Sequence, residues 1–148
     1  MRLWHYELIK YLPRQQLLAQ WRELNSIFVK QNKHILINYV YEYPKKDLCL
    51  YANMVNKEMR ERGYFTYKME AYKEYFKEEP FIAISIYPPF KNHHTDEYLK
   101  ICCWNLYEKF IRGQKGFTDE AISFIKENIS RLWALENKKT GIYITQTL

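Results

Sequence analysis

The chain has 148 residues, 47% hydrophobic and 18% aromatic, which suffices for one compact core and excludes a disordered or low-complexity protein. A net charge of +6 and an isoelectric point of about 9.1 favour an anionic partner, nucleic acid first and an anionic membrane surface next, with a solvated basic surface as the plain alternative. Cys49, Cys102 and Cys103 lack disulfide spacing, residues 1–10 hold no long apolar run, and no stretch approaches the roughly 20 apolar residues of a membrane span, so a soluble cytoplasmic protein is expected.

Only four glycines and five prolines punctuate the chain, which favours long helices over many short strands. The first helix is predicted to start at Pro13, a good first-turn residue, and to end between residues 30 and 33. Leu17, Trp21, Leu24 and Phe28 give it one apolar stripe. Gln16, Gln20 and Glu23 fall on a different stripe, with Arg22 beside it. A second helix is signalled by Asp47 as N-cap, by Leu48, Tyr51, Ala52, Val55 and Met59, and by Gly63 as terminator after Arg60 and Arg62. A shorter amphipathic piece runs through Met69, Tyr72 and Phe76 until Pro80 stops it. The apolar run 81–87 fits a strand or a buried extended segment, and periodicity does not decide between them. Pro88 and Pro89 break it.

A third long helix is predicted from about Thr95, with Asp96 and Glu97 in its first turn. Leu99, Cys102, Cys103, Leu106 and Phe110 form its buried side, and Gly113 ends it. The last helix starts at Thr118. Phe117 and Ile122 fit a hydrophobic staple around that cap, and Ile125, Ile129 and Leu132 continue the stripe. The tail, 141–148, is expected to be loosely ordered. With neither repeat nor linker in sight, the pattern reads as a single all-α domain, 1–148, of about four to five helices around a central N-terminal helix.

Generic chemical motifs are lacking. There is no Gly-rich phosphate loop, no Cys-x-x-Cys pair and no HExxH. His93 and His94 precede Asp96, but adjacent histidines seldom aim at one ion, so no metal and no other cofactor is expected. Cys102 and Cys103, on the buried side of a helix, read as core thiols rather than nucleophiles. Taken alone, the Arg22-Glu23 pair reads as a solvated helix face.

The order of several segments says more. Arg2-Leu3-Trp4, followed by Leu12-Pro13-Arg14-Gln15-Gln16-Leu17-Leu18-Ala19-Gln20-Trp21-Arg22-Glu23-Leu24, resembles the opening of the pyrimidine-dimer DNA glycosylases of the phage endonuclease V type. Lys33-His34, Arg62-Gly63-Tyr64 and the Leu106, Glu108, Lys109 stretch resemble the same family, across roughly the first 110 residues. The resemblance implies a DNA-repair glycosylase with AP-lyase activity on pyrimidine-dimer DNA. It makes Glu23 the catalytic carboxylate and an N-terminal amine the nucleophile. Because the bulk of Arg2 blocks removal of the initiator methionine, that nucleophile is Met1. The implied DNA-facing residues are Arg2, Arg14, Gln16, Arg22, Lys33, His34 and Lys109. The chain departs from the family at Gln16, Ser26 and Asn105, which replace a histidine, a basic residue and an arginine. The implied partner is damaged double-stranded DNA, met by a monomer and with no membrane involved.

An amine and a carboxylate suit such chemistry. Only a neutral amine attacks the sugar C1′, and an α-amine of pKa about 7.7–8.0 is neutral far more often at pH 7 than a lysine of about 10.4. A carboxylate beside it stabilises the cationic sugar and moves the proton for β-elimination. Two non-enzymatic readings stand beside this one: a basic nucleic-acid-binding module and a helical protein-interaction domain.

Overall fold

A computed structural model describes residues 2–78 and 87–141. Five α-helices occupy most of the described residues, and no strand occurs among them: α1 (Arg14–Lys30), α2 (Lys45–Glu61), α3 (Met69–Tyr75), α4 (Asp96–Ile111) and α5 (Asp119–Thr140). Short 3-10 helices, Tyr6–Tyr11 and Asn38–Glu42, precede α1 and α2. The fold is all-α, as the periodicity predicts.

Helix α1 forms where the stripe places it. Leu17, Trp21, Leu24 and Phe28 are buried at i, i+4, i+7 and i+11. Pro13 takes the N-cap position, its φ of −58° already set for entry, and Gln31 ends the helix in the left-handed region with its N–H on the Ile27 carbonyl at 2.8 Å. Helices α4 and α5 open on the predicted caps. The Thr95 hydroxyl accepts from the Tyr98 N–H, and the Thr118 hydroxyl from the Ala121 N–H. Gly63 and Gly113, at φ +76° and +95°, let the chain leave α2 and α4 by returning the next N–H to a carbonyl five residues back.

Helix α2 begins earlier than its expected cap. Pro44 holds the N-cap position, so Asp47 falls in the first turn. Its carboxylate is then free of capping and accepts the Phe90 N–H at 2.9 Å, pinning the chain that leads to α4. Cys102 and Cys103 are fully buried, as their helix face predicts. Pro80 and 81–86 of the ambiguous apolar run lie outside the described residues, as do Met1 and 142–148. Helix α5 continues to Thr140 before Gly141 closes it in the left-handed region.

Helix α1 packs on α2 and α3, while α4 packs chiefly on α5. The segment from Leu3 to Leu12 joins these groups. Leu3, Trp4, Leu8, Ile9 and Leu12 are buried. Tyr51 of α2 bonds the Trp4 carbonyl at 2.6 Å, and Tyr98 of α4 bonds the Leu3 carbonyl at 2.5 Å. Where the chain enters α1, Arg62 donates to the Leu12 and Lys10 carbonyls at 2.7 and 3.0 Å while pairing with Glu58 at 2.7 Å. No helix of the described residues is long and apolar enough to cross a membrane.

Candidate active site beneath the N-terminal segment

Seven residues turn a helix by about 700°, nearly two full turns, so Gln16, Gln20 and Glu23 share one face of α1. The sequence offers that stripe to solvent. In the structure the N-terminal segment lies across it. Gln20 is completely buried and Glu23 half-buried.

Gln20 is the centre of the contact. Its Nε2 donates to the Arg2 carbonyl at 3.1 Å and to Glu23 Oε2 at 3.0 Å. Its Oε1 accepts the Trp4 N–H at 2.8 Å and faces the Tyr51 hydroxyl at 2.9 Å. Reversing the amide would set two acceptors against its oxygen and the Trp4 N–H against its nitrogen, so the network fixes its orientation. Burial raises the Glu23 carboxyl above its ordinary range, against the backbone N–H of Arg2, the Arg22 charge and the Gln20 amide, which favour the carboxylate. A half-buried carboxyl with a raised pKa, held at a protein surface, is suited to acid/base work near neutral pH.

The other expected site residues are distributed around α1. Arg2 lies with its guanidinium 5.6 Å from the Trp4 ring centroid. Arg22 is exposed beside Glu23. Gln16 forms a reciprocal amide pair with Gln114, at 3.2 and 2.5 Å, so its two ends are engaged by the α4–α5 turn. Lys109 is in the last turn of α4, where its carbonyl accepts the Gln114 N–H at 3.0 Å, and thus stands at the Gln16 end of the stripe. Arg14 is nine residues before Glu23, half a turn round the helix, and covers the Tyr64 ring at 5.3 Å. Lys33 and His34 are exposed just past the end of α1. Met1 lies outside the described residues.

Beside Glu23, a cleft of about 360 Å³ is lined by Arg22, Asn25, Ser26, Val29, Lys30, Tyr67 and Lys68. Asn25 is 5% exposed. Its Nδ2 donates to the Trp21 carbonyl at 3.0 Å, and its Oδ1 has no partner. Neither Asn25 nor Gln20 stood out in the sequence. For Gln20 the signal was its place between Leu17 and Leu24, at the i+3, i+4 spacing of a buried row.

A second polar cluster lies at the other end of the segment. His5 Nδ1 accepts the Glu7 N–H at 3.2 Å, which leaves the proton on Nε2, 3.0 Å from the His94 carbonyl. His94 Nδ1 accepts the Tyr6 N–H at 3.3 Å, so its Nε2 donates to the Tyr39 oxygen at 2.7 Å. Burial lowers the two histidines to about 4 and about 3. The cluster fastens the segment to α4 and offers no vacant nitrogen lone pair. No group of three or more His, Cys, Asp or Glu among the described residues is arranged to hold a metal.

No curated protein and no solved structure gives a significant match to this chain. The family model for pyrimidine dimer DNA glycosylase matches residues 1–71. That stretch, just under half of the chain, carries Arg2, Gln20, Arg22, Glu23 and the Arg22–Lys68 cleft, and over it the chain is similar to the pyrimidine dimer DNA glycosylases, a family of DNA-repair enzymes.

Proposed function

We propose that the protein is a glycosylase and AP lyase acting on damaged double-stranded DNA, with the Met1 amine as nucleophile and Glu23 as its acid/base partner. The observation that carries this reading is the Gln20 amide, whose Nε2 donates both to the Arg2 carbonyl at 3.1 Å and to Glu23 Oε2 at 3.0 Å and so holds residue 2, with its backbone nitrogen, beside the carboxylate. An amine on residue 1 is joined to that nitrogen through bonds of about 1.33, 1.52 and 1.46 Å, so it lies within about 4 Å of it in any conformation. Covalent geometry thus supports an amine within reach of the carboxylate once residue 2 is held there.

In the reaction, the neutral amine adds its lone pair to C1′ as the C1′–N bond to the base breaks and the base takes up a proton. Loss of a proton from nitrogen leaves a neutral aminal; the C1′–O4′ bond then breaks as the nitrogen lone pair forms C1′=N, O4′ takes up a proton, and the iminium stands in equilibrium with the imine. Glu23 then removes a C2′ proton, and the C3′–O bond breaks with departure of the 3′ phosphate. Arg22, exposed beside Glu23, takes the role of holding a phosphate beside the lesion. The cleft beyond Glu23 suits an extruded nucleotide: Tyr67 offers a ring, Lys30 and Lys68 offer charge, and Asn25 Oδ1 offers an acceptor for an exocyclic amine.

Borohydride reduction in the presence of abasic-site duplex tests the reading. The expected product is a covalent adduct that maps to residue 1 by peptide mass, and chemical acetylation of the amine abolishes it. An adduct on a lysine, or one that survives amine blocking, refutes it. A non-enzymatic DNA-binding module would give no adduct.

A further inference from the structure

We propose that Gln20 is the positioning residue of this site: its single amide holds the N-terminal segment and the Glu23 carboxylate in one register, and so sets the spacing between amine and carboxylate. The proposal rests on the N-terminal-amine reading above.

Gln20 has four polar partners, the Tyr51 hydroxyl sharing its one proton between Gln20 Oε1 and the Trp4 carbonyl, and they come from three parts of the fold: Arg2 and Trp4 of the segment, Tyr51 of α2 and Glu23 of α1. The two segment contacts bracket Leu3. With the Arg2 carbonyl and the Trp4 N–H both fixed on the amide that also donates to Glu23, the chain cannot slide along α1, and Arg2 stays beside the carboxylate. Packing does not ask for this residue. Position 20 is fully buried between Leu17 and Leu24, where a leucine would fill the space and spare the burial of an amide. What a leucine cannot do is tie the chain's first residues to a carboxylate one turn away.

Gln20 also acts on ionisation. Arg2, Arg22 and Tyr51 face Glu23 from the segment, from α1 and from α2, and the Gln20 N–H is among the groups that hold its proton affinity down against burial. Removing that donor frees the segment and raises the Glu23 titration together, which a merely structural contact would not do.

The test uses Gln20→Met, which keeps the volume and removes all four contacts, and Gln20→Glu, which keeps the two accepted contacts and sets a second carboxyl against Glu23. Three quantities are measured: single-turnover borohydride trapping on abasic duplex across pH, duplex affinity, and the Glu23 carboxyl titration by carbon NMR. Expected for Gln20→Met are a trapping rate about 10- to 100-fold lower, an affinity within about threefold of wild type, and a Glu23 titration moved to higher pH. Gln20→Glu, which retains the Trp4 and Tyr51 contacts and so carries the test if the methionine variant does not fold, moves the titration higher still. Wild-type trapping rates in the variants, or a loss of rate with the Glu23 titration unmoved, overturn the proposal while leaving the amine reading intact. A wild-type protein that does not trap overturns both.

Discussion

Lowering the pH from 7.5 to 5.0 should remove about 4 kcal/mol of folding stability, and two side chains account for it. His5 and His94 are 2% and 5% exposed, and both ring nitrogens of each are committed in the neutral form. Protonating either Nδ1 would set N–H against a backbone N–H. Burial puts the folded values at about 4 and about 3, against 6.5 for the free side chain. A depressed folded value means that the unfolded chain binds the proton first, so stability is intact above pH 6.5 and falls as pH drops through the window down to 4 and 3. At pH 5.0 each unfolded histidine gains about 2 kcal/mol from protonation and each folded one almost nothing. Glu23 works in the opposite sense, since its raised value favours the folded state on acidification, and it offsets part of the loss only near its own titration. Urea unfolding followed by circular dichroism reads the effect. With a slope of about 2 kcal/mol per molar, the midpoint should fall by about 2 M, and His94→Gln, which titrates nowhere in this range, should show about half that fall. A midpoint that stays flat between pH 7.5 and 5.0, or a His94→Gln variant as pH-sensitive as the parent, refutes the reasoning.

Further outcomes follow from the same geometry. Glu23→Gln should keep duplex affinity within about threefold and cut strand cleavage by about 10²- to 10⁴-fold, the usual worth of a positioned acid/base; cleavage within tenfold of wild type would remove Glu23 from the chemistry. Arg62→Met strips donors from the Leu12 and Lys10 carbonyls and leaves the mostly covered Glu58 without its partner, at a cost of about 2–3 kcal/mol. Thermal unfolding should then come about 4–12 °C lower, and a drop under 2 °C would mean that the junction before α1 does not depend on this residue. Duplex affinity should fall steeply between 50 and 200 mM salt, by roughly 0.9 log units per log of salt for each phosphate neutralised, and Arg22→Ala should lessen that slope by about one phosphate. Equal affinity at both salt concentrations would rule out the basic face as the DNA contact.

Helices were legible wherever local chemistry settles them. Thr95 and Thr118 cap α4 and α5 because a hydroxyl three residues ahead of an orphan N–H needs nothing from the rest of the chain. Leu17, Trp21, Leu24 and Phe28 are buried because a stripe of that spacing must face something apolar. Asp47 misled for a local reason of its own: an aspartate before an apolar run and an aspartate inside a first turn look alike, and Pro44 decides between them only once the chain's entry angle is known. The 3-10 helix Tyr6–Tyr11 left no periodic trace, since six residues give two turns and its buried pair, Leu8 and Ile9, are adjacent.

The site was legible only as far as α1 reaches. Arg22 and Glu23 could be named because they occur in a recognisable run, but whether Glu23 meets solvent or another part of the protein depends on what covers its face of the helix. That cover is the segment Leu3–Leu12, and its placement is decided far away. His5 is tied to His94, 89 residues on, and Leu3 to Tyr98, 95 residues on. Hydrophobic pattern carries no information about pairs so separated, and the polar stripe Gln16–Gln20–Glu23 therefore looks like an ordinary wet face. The same distance bears on how the candidate site is built. The family match ends at residue 71, and Gln20, Tyr51 and Glu23 all fall within it, yet the segment above them is also clasped from beyond that boundary by His94 and Tyr98. Residues that never touch the reacting atoms can thus govern where the chain's first residues lie. A loosened α4 would act on the chemistry through Arg2 and the spacing it sets from Glu23, not through the DNA contact.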